Sequence, residues 1–138
     1  MQKNSLSIGI AGEYLACYCA IMQGYSAYRV SGQLSYDVVV ENNNSLYKVQ
    51  VKTSQHRDSD KHNLTFQLRR RTMQYQEKKS IGLAYDKKEI DLYAFVSPEY
   101  MKVAFYPMDK IVNKYKMNLK EEDFNKHNLK LCIKHLNK

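Results

Sequence analysis

Two β-like runs on either side of a polar hinge constrain the fold of this chain more than any other feature. The first run is Asp37 to Val40, and the second, Tyr47 to Thr53, alternates valine with lysine and glutamine. Period-two alternation is typical of a β-strand, so the valines point to one face and the lysines and glutamine to the other. The asparagines at 42–44 favour a tight turn because asparagine tolerates a positive φ. The sequence therefore predicts a β-hairpin with one apolar and one polar face.

The register of this hairpin depends on how many residues form its turn. With an even number, Val38 faces Val49 and Asp37 faces Gln50, whereas an odd number separates the second pair. Directly opposed Cβ atoms lie roughly 4.5–5.5 Å apart. A carboxylate and an amide oxygen at that distance could share one hard cation. The alternative is an ordinary solvated outer face of an antiparallel sheet, although an acidic residue is an unusual start for a buried strand.

A long, almost uncharged segment precedes the hairpin. It predicts a helix from Ser7 to Gln23, with Ser5 or Ser7 as the N-cap and Gly24 ending it. The other side of this helix is also largely apolar, so we expect it to be substantially buried. The residues that share one face at helical spacing are Ala11, Tyr14, Leu15, Tyr18, Cys19 and Met22.

Glu13 is the only charged side chain between Lys3 and Arg29. A carboxylate on so apolar a helix must reach solvent, find a cationic partner or bind a metal ion. The residue alone leaves all three open. The metal alternative gains weight if a second acidic group and a lysine lie nearby.

The charge balance favours a polyanionic partner. The chain has 22 Lys and Arg against 14 Asp and Glu, a net charge of +8 and a pI near 9.3. Nucleic acid suits this excess better than a membrane surface, because no amphipathic helix is dense in both aromatics and lysines. Basic residues cluster at 69–71, 78–79 and 87–88 and in the lysine-rich C-terminal segment.

Several classes of protein are disfavoured by composition. No apolar run approaches the length of a membrane-spanning helix, and the N-terminus lacks a secretory pattern, so we expect a cytoplasmic protein without a membrane partner. Three cysteines cannot all pair with one another, and no second Cys/His pair stands at zinc-finger spacing.

The rest of the chain predicts an α/β protein with a mixed sheet and a helix packed on it. At 138 residues we expect one domain spanning 1–138. The further predicted elements are strands at 25–31, 64–68, 90–96 and 102–106, helices at 72–80 and 107–115, and a strand or helix at 128–134.

The order of these features resembles the PD-(D/E)XK nuclease superfamily. The residues that carry the resemblance are the helical Glu13, then Tyr36-Asp37, then Gln50-Val51-Lys52. It covers 7–54 and, weakly, the predicted strand at 90–96, and it looks most like small intron-encoded homing endonucleases and archaeal-type Holliday junction resolvases. The resemblance implies a restriction-endonuclease-like fold, a mixed β-sheet flanked by helices with an αβββ core plus further strands.

The resemblance also implies the roles of these residues. Mg²⁺ or Mn²⁺ would be bound by Asp37, the side-chain oxygen of Gln50 and the carbonyl of Val51. Glu13 would complete the metal site through a water or a second ion. Lys52 would position or deprotonate the attacking water, so the implied catalytic set is Asp37, Gln50, Lys52 and Glu13.

Two positions depart from the family motif. Tyr36 stands in place of proline, and Gln50 stands in place of an acidic residue. Because an amide oxygen carries no charge, the site should bind magnesium less tightly. A catalytically inactive nucleic-acid-binding module therefore stays open as an alternative, as does a protein-interaction domain.

The function expected from these features is a divalent-metal-dependent endonuclease acting on double-stranded DNA as a homo-oligomer, either dimer or tetramer. Cleavage at a specific site, as by homing endonucleases, is the first expectation, and a resolvase-like structure-specific nuclease is the alternative. The residues expected to contact nucleic acid are Arg69, Arg70, Arg71, Lys78, Lys79 and Ser31.

Overall fold

The computed structural model describes residues 4–31, 34–54, 57–58, 63–68, 70–74, 79–83, 89–111 and 114–138, with the backbone alone at 57–58, 70–74 and 79–83. The helices are α1 (Ser5–Met22), α2 (Glu121–Lys126) and α3 (Leu129–Leu136), with a 3-10 turn at Met108–Lys110. The strands are β1 (Ser26–Arg29), β2 (Val38–Asn42), β3 (Ser45–Thr53), β4 (Arg57–Asp58), β5 (Asn63–Gln67), β6 (Arg70–Gln74), β7 (Lys79–Leu83), β8 (Leu92–Ser97), β9 (Lys102–Pro107) and β10 (Lys116–Leu119).

The central sheet is mixed, with the strand order β1-β2-β3-β8-β9. β3 and β8 run parallel, and the other neighbouring pairs run antiparallel. Two smaller antiparallel sheets have the orders β10-β5-β4 and β6-β7. The predicted α/β class with a mixed sheet and flanking helices is confirmed.

β2 and β3 form the predicted hairpin in the even register. Val38 pairs with Val49, and Asn42 pairs with Ser45. The turn therefore consists of Asn43 and Asn44, whose φ angles are 50° and 70°. Positive φ at both central residues gives the backbone twist that suits a two-residue hairpin, and asparagine adopts it more readily than most residues.

Apolar side chains pack on both faces of the central sheet. One core cluster joins Val49 and Val51 to α1 and α3. The other joins Tyr93 and Phe95 of β8 to side chains from β5, β10 and α2. The polar face of β3 is therefore covered in part, and Gln50 is only 8% exposed. A solvated outer face at this position is ruled out, because a second layer covers it.

The ends of α1 differ slightly from the predicted ones. The helix begins at Ser5, and its N-cap is Asn4, whose Oδ1 accepts a hydrogen bond from the Ser7 N–H at 2.8 Å. The predicted cap at Ser5 or Ser7 was wrong, because the asparagine just before them satisfies the free N–H. Gly24, with a φ of 98°, follows the helix as predicted.

The buried face of α1 consists of small residues. These residues are Gly12, Ala16, Cys17 and Ala20. A Cβ atom placed on Gly12 would overlap Oγ1 of Thr53, so the helix backbone approaches β3 closely. The predicted apolar face was wrong in part, because Tyr14, Tyr18 and Met22 are exposed. Close packing selects small side chains here rather than the largest apolar ones.

By length and composition alone, α1 could also cross a membrane, with a mean hydropathy of 1.4 over 18 residues. The sequence was expected to lack such a segment. In the fold, however, the small-residue side of α1 packs against the central sheet. One side of α1 therefore packs as in a core helix, but only 22% of the segment is buried, so the expectation of a substantially buried helix was wrong.

Three local predictions were incomplete or wrong. The predicted helix at 72–80 is replaced by β6 and β7, whose cross-strand pairing overrides a weak helical preference. The predicted helix at 107–115 is reduced to the turn Met108–Lys110, because the chain continues into β10. The segment at 128–134 is helical and belongs to α3, whereas α2 was not predicted.

Candidate active site

Asp37 is held in place by both its backbone and its side chain. It lies just before β2, where its N–H donates to the Val49 carbonyl at 2.9 Å and its own carbonyl accepts from the Val30 N–H at 3.0 Å. Its Oδ2 accepts a hydrogen bond from the Val51 N–H at 3.0 Å. The carboxylate is therefore held against the middle of β3.

Gln50 and the Val51 carbonyl supply two further polar groups beside this carboxylate. Nε2 of the buried Gln50 side chain lies 3.5 Å from the Val51 carbonyl oxygen. Because the two ends of an amide are exchanged by a simple rotation, the amide oxygen can take the same position. Gln50, Val51 and Asp37 can then present oxygen atoms together, which are the ligands that Mg²⁺ and Mn²⁺ prefer. The donor set fits a hard divalent cation.

Lys52 follows on the same face of β3 as Gln50. Its side chain is half-buried. Burial lowers the pKa of its ammonium group, and the negative charge of Asp37 partly opposes this shift. A lysine with a lowered pKa is neutral in a larger fraction of molecules, so it is better able to accept a proton from water.

Glu13 has a cationic partner. Nε of Arg29, at the end of β1, donates to Oε1 of Glu13 at 3.0 Å. Nη1 of Arg29 also donates to the Tyr14 hydroxyl at 3.1 Å, and the guanidinium lies 4.6 Å from the centre of the Tyr14 ring. Of the three alternatives for Glu13, the structure contains the ion pair.

The two carboxylates are electrostatically linked. Burial raises the pKa of Glu13, the hydrogen bond from Arg29 lowers it, and the charge of Asp37 raises it further. Burial likewise raises the pKa of Asp37, while the Val51 hydrogen bond and the charges of Lys52 and Arg29 oppose the rise. The charge of Asp37 is therefore one of the influences on the pKa of Glu13.

The donor set contains few acidic groups. Among the described residues, no three His, Cys, Asp or Glu side chains form a group that could hold a metal ion. A cation at this position would depend on the Gln50 amide and the Val51 carbonyl as well as on carboxylates. A neutral amide in place of a third carboxylate weakens the attraction for a divalent cation.

Arg29 and Tyr14 are site residues that the sequence did not identify. The signal for Arg29 was its position as the next charged residue after Glu13 in a nearly uncharged segment. Nothing in the sequence shows that β1 would bring it beside α1. The close approach of Gly12 to Thr53 helps to place Glu13, because the helix meets β3 one residue before it.

The residues predicted to contact nucleic acid are only partly described. Ser31 is exposed and follows β1 closely. For Arg70, Arg71 and Lys79 the structure describes the backbone in β6 and β7, and Arg69 and Lys78 lie outside the described residues. Their contact with nucleic acid stays a prediction.

Comparison with known proteins identifies the family and the fold. The family model described as PD-(D/E)XK endonuclease matches residues 3–134. The bacterial homing endonuclease I-Ssp6803I has a similar structure, with a TM-score of 0.76 and 22% identity over 86% of this chain and 80% of that one. Hjc of Archaeoglobus fulgidus, a Holliday junction resolvase, matches with a TM-score of 0.50 and 14% identity over 94% of this chain and 96% of that one. No curated protein sequence matches. The predicted restriction-endonuclease-like fold is confirmed.

Proposed function

Because the chain belongs to the PD-(D/E)XK endonuclease family, we propose that it is a divalent-metal-dependent endonuclease that hydrolyses phosphodiester bonds in double-stranded DNA. One observation carries the proposal. The Val51 N–H holds the Asp37 carboxylate against the segment of β3 that bears Gln50 and Lys52. An acid, an oxygen ligand and a lysine in this arrangement suit metal-assisted hydrolysis.

Four groups of this chain would hold the cation. Asp37, the Gln50 side-chain oxygen and the Val51 carbonyl would bind it directly, and Glu13 would act through a water or a second ion. The cation itself, either Mg²⁺ or Mn²⁺, would supply a water of lowered pKa and stabilise charge on the phosphate. The partial burial of Asp37 supports this role, because a buried carboxylate gains from a cationic ligand.

Lys52 would take the proton of the attacking water or offset charge that builds on the phosphate. Its lowered pKa supports the first role, and its position beside Gln50 serves either one. Arg29 would keep Glu13 ionised and oriented, because its guanidinium donates to that carboxylate. Arg29 is thus a positioning residue in this mechanism.

The substrate would be bound largely through its phosphates. The net charge of +8 supports such a sequence-independent contribution. Arg69, Arg70, Arg71, Lys78, Lys79 and Ser31 are the residues proposed to contact it. The likeness to a homing endonuclease supports cleavage at a specific site, and the likeness to a junction resolvase supports a four-way junction as the alternative substrate.

A homo-oligomer, either a dimer or a tetramer, completes the proposal. One active site cuts one strand, so a double-strand break or a symmetric junction calls for two copies related by a two-fold axis. The chain is also short of surface for reading a long DNA site alone.

The test is cleavage of a plasmid library and of a synthetic four-way junction by the purified protein. Reactions contain Mg²⁺, Mn²⁺ or EDTA, and they compare the wild type with Lys52→Ala and with Lys130→Ala. Lys130 is an exposed lysine of α3, so it controls for the loss of one positive charge. Cutting that needs the metal, disappears in Lys52→Ala and persists in Lys130→Ala would support the nuclease.

A binding module without catalysis is the second candidate, and Gln50 is the observation that favours it. A site that has lost an acidic ligand can retain its fold and its DNA-binding surface while binding metal too weakly for hydrolysis. This candidate expects DNA binding that survives EDTA, and no cleavage of either substrate. Cleavage that appears on Gln50→Glu would identify the missing charge as the cause.

A further inference from the structure

One side of α1 is an exposed apolar surface. We call the side chains of Leu6, Tyr14, Tyr18, Ile21 and Met22 the α1 face, and each of them is more than half exposed. Tyr14, Tyr18 and Ile21 lie at helical spacings that place them on one side of α1.

Such a surface is unusual for a chain that acts alone. Single apolar side chains are common on protein surfaces, but contiguous apolar patches mark sites of interaction. The opposite side of α1 already packs on the sheet through Gly12, Ala16 and Ala20. Turning the helix to bury the tyrosines would expose that packed side instead. The side chains of the α1 face can therefore be buried only by a partner.

Charge favours a second copy of the chain as the partner. Glu13 is the only charged residue of α1, and its charge is matched by Arg29. The α1 face is therefore close to neutral on a chain whose net charge is +8. DNA phosphates are drawn to the basic surfaces and not to this one. Two copies of the chain repel each other through their basic surfaces and meet with least repulsion at a neutral one.

We propose that the α1 face is the self-association surface of this protein, and that its occupant is the same face of a second copy. A two-fold axis through a self-complementary surface gives a closed dimer. Exposed tyrosines suit such a contact because they bury large apolar areas and keep a hydroxyl for hydrogen bonding.

The dimer contact would also reach the candidate active site. Tyr14 belongs to the α1 face, and its hydroxyl accepts a hydrogen bond from Nη1 of Arg29. A second copy that covers Tyr14 would shield the Arg29–Glu13 pair from water, which strengthens an ion pair. This consequence rests on the proposed nuclease function, whereas the self-association does not.

The first experiment measures mass by sedimentation velocity across micromolar concentrations, without DNA or metal. It compares the wild type with Tyr18→Glu and Ile21→Glu. The matched control is Leu131→Glu on α3, because Leu131 is 54% exposed and Tyr18 is 59% exposed. We expect the wild type and the control to form dimers or larger assemblies. The α1-face variants should dissociate, with a dimer dissociation constant raised by about tenfold or more.

Three results would overturn the proposal. One is a wild type that stays monomeric at every concentration, and another is α1-face variants that associate as tightly as the wild type. The third is a monomer that binds neutral phosphatidylcholine vesicles through this face, which would make a membrane its occupant. Should a glutamate variant fail to fold, Tyr18→Ser removes apolar area without adding charge and provides the same comparison.

A plasmid assay separates this proposal from the proposed function. A nuclease whose α1 face is disrupted should release nicked circles where the wild type releases linear plasmid, because separated active sites cut single strands. A protein that is not a nuclease produces neither form, while its sedimentation still reports self-association. The two proposals can therefore fail independently.

Discussion

The N–H of Val51 donates a hydrogen bond of 3.0 Å to Oδ2 of Asp37, which ties the start of β2 to the middle of β3. The bond favours the charged carboxylate, yet burial outweighs it, so the pKa of Asp37 is raised. Without a cation, the folded protein holds a carboxylate in a place that disfavours its charge. The site is therefore arranged for binding at some cost to stability, as at many functional sites.

The first prediction is that Asp37→Asn stabilises the metal-free protein at neutral pH. With its pKa raised on folding, Asp37 binds a proton more tightly in the folded state, so stability falls as the pH rises from the ordinary value of 3.8 through the folded pKa. Asparagine can still accept the Val51 hydrogen bond and carries no charge. The increase in the free energy of unfolding of Asp37→Asn over the wild type should vanish below this pH range. Urea unfolding in EDTA at acidic and neutral pH measures it.

Adding Mg²⁺ provides the control for this prediction. The cation should stabilise the wild type, because it binds the folded state, and it should have little effect on Asp37→Asn. Cleavage should be lost in the variant. An Asp37→Asn protein that is less stable than the wild type in EDTA at neutral pH would contradict the argument.

The hairpin and its acidic start could be predicted from sequence because their signals are local. The alternation of apolar and polar residues identifies β3, and the asparagines identify a tight turn. Once the turn is taken to have two residues, the even register follows. The family motif depends on the same short segment. For this reason Asp37, Gln50 and Lys52 could be named before their surroundings were known.

What the sequence did not reveal depends on contacts between distant segments. The layer that buries Gln50 comes from β5, β10 and α2. Arg29 reaches Glu13 only because β1 packs beside α1. Apolar residues occur all around α1, so periodicity alone could not tell its buried side from its exposed one. Side-chain size distinguished them, because the sheet accepts only small residues at that contact.

The second prediction concerns Lys52→Met, which keeps much of the side-chain length and removes the amine. If Lys52 accepts the proton of the attacking water, the cleavage rate of Lys52→Met should be roughly 10²–10⁴-fold lower than that of the wild type. DNA binding should change little. Wild-type activity should rise with pH through the lowered pKa of Lys52, since only the neutral amine accepts a proton. The methionine variant should lose that rise.

Single-turnover cleavage across a range of pH makes this measurement. Lys130→Met is the control, because Lys130 is an exposed lysine of α3. Equal losses in the two variants would point to DNA binding instead of proton transfer. Unchanged cleavage in Lys52→Met would remove Lys52 from the catalytic set.

The third prediction is that Gln50→Glu lowers the Mg²⁺ concentration needed for cleavage. A charged ligand beside Asp37 should tighten cation binding by roughly an order of magnitude. In EDTA the same change should destabilise the protein at neutral pH, because a new carboxylate is then buried beside Asp37. The half-saturating Mg²⁺ concentration for cleavage and Mn²⁺ titration calorimetry measure the metal affinity, and urea unfolding in EDTA measures the stability. A variant with unaltered metal affinity would show that Gln50 is not a ligand.

The last prediction concerns Gly12, where α1 meets β3. A Cβ on Gly12 would overlap Oγ1 of Thr53, whereas a Cβ on Gly9 would meet nothing within 4 Å. Gly9→Ala should therefore stabilise the protein by up to about 1 kcal/mol through helix propensity. Gly12→Ala should destabilise it by roughly 1–3 kcal/mol, because the helix and the strand must move apart. Urea unfolding of the two variants gives the comparison.

A double variant tests the cause of that difference. Thr53 Oγ1 is buried and has no hydrogen-bond partner among the described residues, so Thr53→Ala should cost little in polar contacts and make room for the new methyl group. Gly12→Ala with Thr53→Ala should then recover much of the stability lost by Gly12→Ala alone, a coupling expected of residues in direct contact. Additive effects would instead mean that Gly12 is required for a reason other than contact with Thr53. Because Glu13 follows Gly12, cleavage should fall in Gly12→Ala and stay close to wild type in Gly9→Ala.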